Sequence, residues 1–181
     1  GEEADIIGPL GNFWSDFEKY PVIIGGGVGI APILFLHNHL RSLDKPHHMI
    51  MGARTKGEHF IAHEPENGVL LCTDDGSLGI KGTVMEAVEK IRHEDGLDHV
   101  KLFVCGPPAM MEAVKIFSDK ENIPCDIALE TVMACGFGIC QGCTMEFKER
   151  ELGKDSYRNR FGLVCLDGPV FNAKEIKSCY L

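Results

Sequence analysis

Long apolar runs are missing from this sequence. No stretch approaches the roughly 20 residues needed to span a bilayer, and the opening GEEADIIGPLGNF lacks the basic-then-apolar order of a secretion signal. Both absences predict a cytoplasmic protein with no membrane partner. A basic surplus is missing too. Net charge is −9, from 18 Lys and Arg against 27 Asp and Glu. Such a surface has no excess of cations to displace counterions from phosphates, so nucleic acid is not an expected partner. Repeats and low-complexity segments are also absent. The remaining composition, 44% hydrophobic and 25% charged over 181 residues, suits one ordinary domain with a small appendage.

Cysteine, by contrast, is plentiful, with eight residues. In a cytoplasmic chain that count points to metal or redox chemistry rather than to disulfides. Three of the eight fall in CGFGICQGC (135–143), together with three glycines.

From Tyr20 to Glu130, short apolar runs alternate with amphipathic ones. YPVIIGG (20–26), HHMIMGA (47–53), GVLLCTDDG (68–76), VKLFVCGPP (100–108) and CDIALE (125–130) read as strands. APILFLHNHLRSL (31–43), TVMEAVEKIRH (83–93) and AMMEAVKIFSDKEN (109–122) read as helices, the first with Ile33, Leu34, Leu36, Leu40 and Leu43 near one face. Continuously apolar strands separated mostly by helices imply a doubly wound α/β fold with a five-stranded parallel sheet covered on both faces. After Glu130 the texture changes: residues 131–181 hold five cysteines, six glycines and no long amphipathic helix. Within them TMEFKERELGKDSY (144–157) reads as a short hairpin. So small a segment needs a metal site to compensate for its thin core. The expected organisation is a lead-in over 1–19, a nucleotide-binding domain over 20–130 and a cysteine-rich lobe over 131–181.

GGGVGIAP (25–32) follows the first strand and opens the first helix. Gly27, Gly29 and Pro32 form G-x-G-x-x-P around Ile30. Glycine lets backbone approach a ligand closely, proline suits a first helical turn, and the free N–H groups of a helix start attract a pyrophosphate. The pattern departs from the usual dinucleotide fingerprint at Pro32, and the second strand ends in MGARTKG without the expected acid. CGPPAMM (105–111) makes another strand-to-helix turn, placing Cys105, Gly106 and Pro107 at the edge where such folds bind ligands. Taken alone, Cys105 reads as a buried thiol at a strand end.

Cys135, Cys140 and Cys143 give C-x4-C-x2-C, the spacing of a plant-type [2Fe–2S] site. Cys165, in GLVCLDGPVF, is the natural fourth ligand, with Cys179 as the other candidate close to the C-terminus. Gly136, Gly138 and Gly142 permit the positive φ and close approach of a loop whose N–H groups point inward. A four-cysteine zinc site is the alternative, but zinc ribbons favour two C-x2-C pairs and only one exists here.

In order, GPLGNF (8–13), GGGVGIAP, TDDGSLGIKG (73–82), CGPPAMM, ETVMACGFGICQGC and CLDGPVF run through nearly the whole chain. This series resembles the iron–sulfur electron transfer subunit of the heterotetrameric dihydroorotate dehydrogenases, within the ferredoxin–NADP reductase superfamily. The resemblance implies Cys135, Cys140, Cys143 and Cys165 as ligands of a [2Fe–2S] cluster. It implies Gly27, Gly29 and Pro32 as the pyrophosphate loop, and Cys105, Gly106 and Pro107 as the turn beside the nicotinamide; Glu130, just before the cysteine segment, is not promoted to that site. It also implies a flavoprotein oxidoreductase of pyrimidine biosynthesis. Its partner would be the catalytic, FMN-containing dihydroorotate dehydrogenase subunit, and electrons would pass from it through the cluster and then FAD to NAD. The family's FAD-binding barrel and its Arg-x-Tyr-Ser motif are not found here, so the sequence reads as a piece that is inactive without that barrel. In NADP-using relatives a serine and an arginine after the third strand hold the 2′-phosphate. Thr73 and Asp74 take those positions here, and an aspartate favours NAD over NADP, while Arg54 and Lys56 argue the other way. A subunit of a ferredoxin-linked NAD(P)H oxidoreductase or of a sulfhydrogenase shares these motifs and is the second reading. A zinc-stabilised nucleotide-binding module without redox activity is the third.

Among other residues, His37 and His39 point to different faces of a helix, which argues against a shared metal. His47 and His48 read as packing or surface, Cys72 and Cys125 as core thiols, and Met110 and Met111 as packing residues.

Overall fold

The computed structural model describes residue 1, residues 3–148 and residues 157–181, with Arg158 described in its backbone alone. Six parallel strands are β1 (Tyr20–Gly26), β2 (His48–Ala53), β3 (Val69–Thr73), β4 (Ile80–Lys81), β5 (Val100–Cys105) and β6 (Cys125–Ala128). Three longer helices join them: α1 (Ile30–Ser42), α2 (Val84–Glu94) and α3 (Pro108–Glu121). The cysteine-rich segment adds β7 (Thr144–Glu146), α4 (Tyr157–Arg160), β8 (Phe161–Leu163), α5 (Val164–Asp167) and β9 (Val170–Asn172). The main sheet runs β4-β3-β2-β1-β5-β6-β9, and β7 pairs with β8 in a small second sheet.

The doubly wound architecture is the expected one, because β1, β3 and β5 are buried on both sides. Val22 and Ile24 turn toward α2 and α3, while Ile23 between them turns toward α1. Trp14 and Phe17 of the lead-in extend the α1 side, and Cys72, Cys125 and Met111 lie in the α2–α3 side. Thr83 caps α2: its hydroxyl accepts the Met85 N–H and donates to Glu86.

The sheet has seven strands, two more than the five expected. β4 is two residues long and carries no apolar run for a sequence pattern to show. β9 lies in the segment expected to stand apart. It pairs antiparallel with β6, setting Ile127 opposite Phe171, and so covers an edge that would otherwise expose unpaired backbone groups. Along α1, Ile30, Ile33, Leu36 and Leu40 are buried, Leu34 is half-buried, and Leu43 is exposed because it stands just beyond the last turn. The hairpin expected over 144–157 falls partly on residues 149–156, outside the described residues; β7 pairs with 161–163 instead. Among the described residues no helix is long and apolar enough to cross a membrane.

Candidate functional site

β1 and β5 lie side by side, Gly25 opposite Cys105. The helix after β1 covers one face of the sheet and the helix after β5 covers the other. The chain therefore parts at the carboxyl ends of these two strands, which is where open α/β sheets leave a ligand crevice. Both glycine-bearing turns meet here. Gly27 has φ +53°, and a Cβ on Gly29 would lie 2.2 Å from the Cys105 carbonyl oxygen and 2.5 Å from the Gly106 nitrogen. A Cβ on Gly106 would in turn lie 3.0 Å from the Gly26 carbonyl oxygen. Only bare backbone fits between the two turns. Pro32 is the third residue of α1, where a helix has no use for its N–H.

The crevice opens into a cleft of about 820 Å³ whose lining includes Gly27, Ile30, Pro107, Asp74 and the exposed ring of Phe60. Gly29, Pro32, Cys105 and Gly106 support these walls without lining them. Cys105 is 7% exposed, and burial, reinforced by the charge of Glu130, pushes its thiol up to about 11. It is protonated at neutral pH. A larger groove of about 940 Å³, lined by His37, His47 and His48, opens beside the amino-terminal ends of β2 and β3, remote from both turns. There the ring nitrogens of His37 and His47 lie 2.8 Å apart, a pairing the sequence did not suggest, and burial holds both imidazoles below their usual range. His39 is exposed.

Of the two residues expected to read the adenosine ribose, Asp74 reaches the cleft, but Thr73 does not. Thr73 is fully buried, its hydroxyl donating to the Leu78 carbonyl and accepting the Leu78 N–H. Sequence reasoning missed Glu58. Its carboxylate accepts from the Arg54 Nε at 2.8 Å and from the Arg54 backbone N–H at 3.0 Å, and also pairs with the other arm of that guanidinium. No local pattern signalled it, because Arg54 and Glu58 span a turn after β2 rather than a helix, on which residues four apart would be neighbours.

The four cysteines come as two pairs. The Sγ atoms of Cys143 and Cys165 lie 3.2 Å apart, and the Val164 N–H donates to the Cys143 carbonyl. Cys135 and Cys140 are joined through backbone: the Cys140 N–H reaches the Cys135 sulfur at 3.4 Å, and the Gly142 N–H reaches the Cys140 sulfur at 3.4 Å. The N–H groups of Cys140 and Phe137 lower the Cys135 thiol to about 6. Burial and the neighbouring Cys143 raise that of Cys165, against the Gly138 N–H, and Cys135 acts on Cys165 through its charge. Gly136 and Gly138 take φ of +75° and +85°. Gly142 does not share this conformation; Gln141, at φ +57°, supplies the third left-handed turn. Cys179 is buried against α3, its N–H bonded to Glu112, and burial pushes its thiol up to about 12. Among the described residues no three His, Cys, Asp or Glu side chains close around a single metal point. Two sulfur pairs with inward N–H groups suit a two-iron cluster, which takes two cysteines on each iron.

The family profile of the iron–sulfur cluster binding domain of dihydroorotate dehydrogenase B matches residues 130–177, and that of the oxidoreductase NAD-binding domain matches residues 23–115. The dihydroorotate dehydrogenase B (NAD(+)) electron transfer subunit of Caldanaerobacter subterraneus subsp. tengcongensis is 38% identical over 97% of this chain and 67% of its own length. A probable subunit of the same kind from Archaeoglobus fulgidus is 33% identical over 97% of this chain and 70% of its own length. Among solved structures, a chain of the NADH-dependent reduced ferredoxin-NADP oxidoreductase, described for flavin-based electron bifurcation, superposes with a TM-score of 0.74. It is 28% identical over 96% of this chain and 60% of that one. The chain thus spans 67–70% of the length of these two curated relatives and less of that structure. At such identity across nearly all its residues, the chain belongs to the family of dihydroorotate dehydrogenase B electron transfer subunits.

Proposed function

We propose that the chain carries electrons between NAD, bound in the crevice, and a partner dehydrogenase, through a [2Fe–2S] cluster held by Cys135, Cys140, Cys143 and Cys165. The partner in this reading is the FMN-containing dihydroorotate dehydrogenase subunit, and the setting is the cytoplasm. The observation that carries the reading is the arrangement of four sulfurs as two pairs, in the 135–143 loop and in α5, which joins that loop through the Val164 N–H on the Cys143 carbonyl. When bound, the cluster supplies single-electron exchange and an FAD held by residues outside this sequence supplies the change between electron pairs and single electrons. The division at residue 130 follows from this split of tasks.

The chain's own residues bind and orient. Gly27 and the start of α1 offer backbone N–H groups to a pyrophosphate. Ile30 and Pro107 give the cleft apolar walls beside them. Gly106 and the protonated thiol of Cys105 shape the end beside β5, where the nicotinamide is assigned. Asp74 accepts a ribose hydroxyl and repels a 2′-phosphate, which favours NAD over NADP. Arg54, already bonded to Glu58, does not offer a free guanidinium to that phosphate. In the lobe, backbone N–H groups aimed at sulfur stabilise the thiolate form of Cys135. Exposed Val132, Phe137, Ile139 and Leu166 around this loop suit coverage by another protein surface.

A second reading, the subunit of a ferredoxin-linked NAD(P)H oxidoreductase, is favoured by the likeness to the reduced ferredoxin-NADP oxidoreductase. Co-purification of the native partner separates the two. Anaerobic reconstitution tests the site itself. Iron and acid-labile sulfide in equal amounts, a visible chromophore and an EPR signal on reduction are expected. Bound zinc without sulfide would instead support a structural nucleotide-binding module. Bleaching by NADH with no flavin added would remove the need for the FAD step.

A further inference from the structure

The lead-in segment is exposed from Gly8 to Phe13, with Phe13 itself 79% exposed. Nothing in the local packing accounts for its course. Asn12 does. Its Nδ2 donates to the carbonyl oxygens of Val170 at 2.8 Å and Asp167 at 3.0 Å, and its Oδ1 accepts the Val170 N–H at 2.8 Å. Its backbone N–H donates to the Gly168 carbonyl at 2.6 Å. One side-chain amide thus answers both backbone groups of Val170, as a neighbouring peptide would. Gly11 is fitted to the same place: at φ +72°, a Cβ on it would stand 2.4 Å from the Gly168 oxygen.

The turn gripped in this way follows directly on Cys165, the second residue of α5. Asp167 closes the start of α5 by accepting the Leu163 N–H at 2.7 Å. Leu166 covers Gly138 of the other cysteine loop, where a Cβ would meet its Cδ1 at 2.3 Å. Within the turn, the Pro169 carbonyl accepts the Leu129 N–H. The Cys165 loop is therefore anchored at two places, the main sheet and Asn12. The Asn12 side chain also borders the same hollow, about 410 Å³, as Gly138, Leu166 and Asp167.

We propose that Asn12 is a positioning residue for the cluster: its amide holds the 167–170 turn so that Cys165 stays opposite Cys143. This rests on the ligand assignment of the proposed function. An outer group that orients a metal ligand typically changes metal affinity by about 10- to 100-fold when removed. Asparagine suits the task because an aspartate loses the two donors and a leucine loses all three bonds.

The test is iron release to a chelator from the reconstituted 181-residue chain, with the EPR spectrum and midpoint potential of the same samples. Asn12→Ala and Asn12→Leu are expected to release iron about tenfold faster and to alter the EPR line shape. Asn12→Asp, which sets a carboxylate oxygen against the Val170 and Asp167 carbonyls, is expected to release iron at least as fast as Asn12→Ala. Thr83→Ala, which removes a helix cap elsewhere, controls for general loss of stability and is expected to melt earlier without changing the EPR signal. The proposal is overturned if the Asn12 variants keep the parent's spectrum and release iron no faster than Thr83→Ala. If the parent chain itself takes up no iron–sulfur cluster, the ligand assignment fails, and the Asn12 proposal with it.

Discussion

Gly29 and Cys105 touch through bare backbone: the Cys105 carbonyl oxygen occupies the space, 2.2 Å away, that any side chain on Gly29 would need. Gly29 itself has φ −63°, so the requirement is for room and owes nothing to backbone conformation.

Gly29→Ala is accordingly expected to push the two turns apart. Overpacking of this kind costs about 1–3 kcal/mol, which denaturant unfolding would show. NAD affinity, followed by calorimetry, is expected to fall by about tenfold or more, since both loops of the crevice shift together. Unchanged binding would mean that the dinucleotide does not rest on this junction.

In the proposed reading the choice between NAD and NADP rests on Asp74 and on the Arg54–Glu58 pair. The double variant Asp74→Asn with Glu58→Gln removes two negative charges and frees one guanidinium. NADP binding is expected to tighten by about tenfold, equivalent to about 1.4 kcal/mol, with NAD much less affected. Equal changes for both dinucleotides would count against these residues as readers of the 2′ position.

Cys143→Ser and Cys165→Ser each break one sulfur pair. Both are expected to lose the visible chromophore and most of the bound iron after reconstitution. Cys105→Ala, on the strand edge, is expected to keep them. A Cys165→Ser protein with its full iron content would return attention to Cys179.

The C-terminus is held by Glu112, which accepts from the Cys179 N–H at 2.7 Å and from the Ser178 hydroxyl at 3.3 Å. Burial alone would raise this carboxyl, but the Cys179 N–H and nearby Lys115 outweigh it, and the net shift is downward from 4.5. A depressed carboxylate contributes stability that is complete above its unfolded value and is lost as pH falls through its folded one. Acidification below about pH 4.5 is therefore expected to loosen residues 178–181. A lower hydrogen-exchange protection factor at the Cys179 amide, corrected for the intrinsic rate at each pH, would show it, and Glu112→Gln should remove the pH dependence.

The sequence made the centre of the fold legible because β1, β2, β3, β5 and β6 meet apolar neighbours on both faces and so read as mostly apolar runs, interrupted at Lys101 and Asp126, which pair with each other. Cysteine spacing and glycine-rich turns were legible for a similar reason: their chemistry is concentrated in a few consecutive residues. What escaped depended on tertiary partners that no local pattern announces. β9 is defined by β6, more than 40 residues earlier, and leaves no period in three residues. Thr73 looked available to a ligand until Leu78 took both of its hydroxyl bonds. Asn12 is an ordinary asparagine whose meaning lies 155 to 158 positions away.

Because the outermost rung of the dinucleotide sheet is supplied by residues 170–172, the two cofactor regions share one hydrogen-bonded ladder. Their separation is set by peptide dimensions, much as floors of a building are set by its frame. A swing of the cysteine lobe away from the nucleotide crevice would have to unzip that rung.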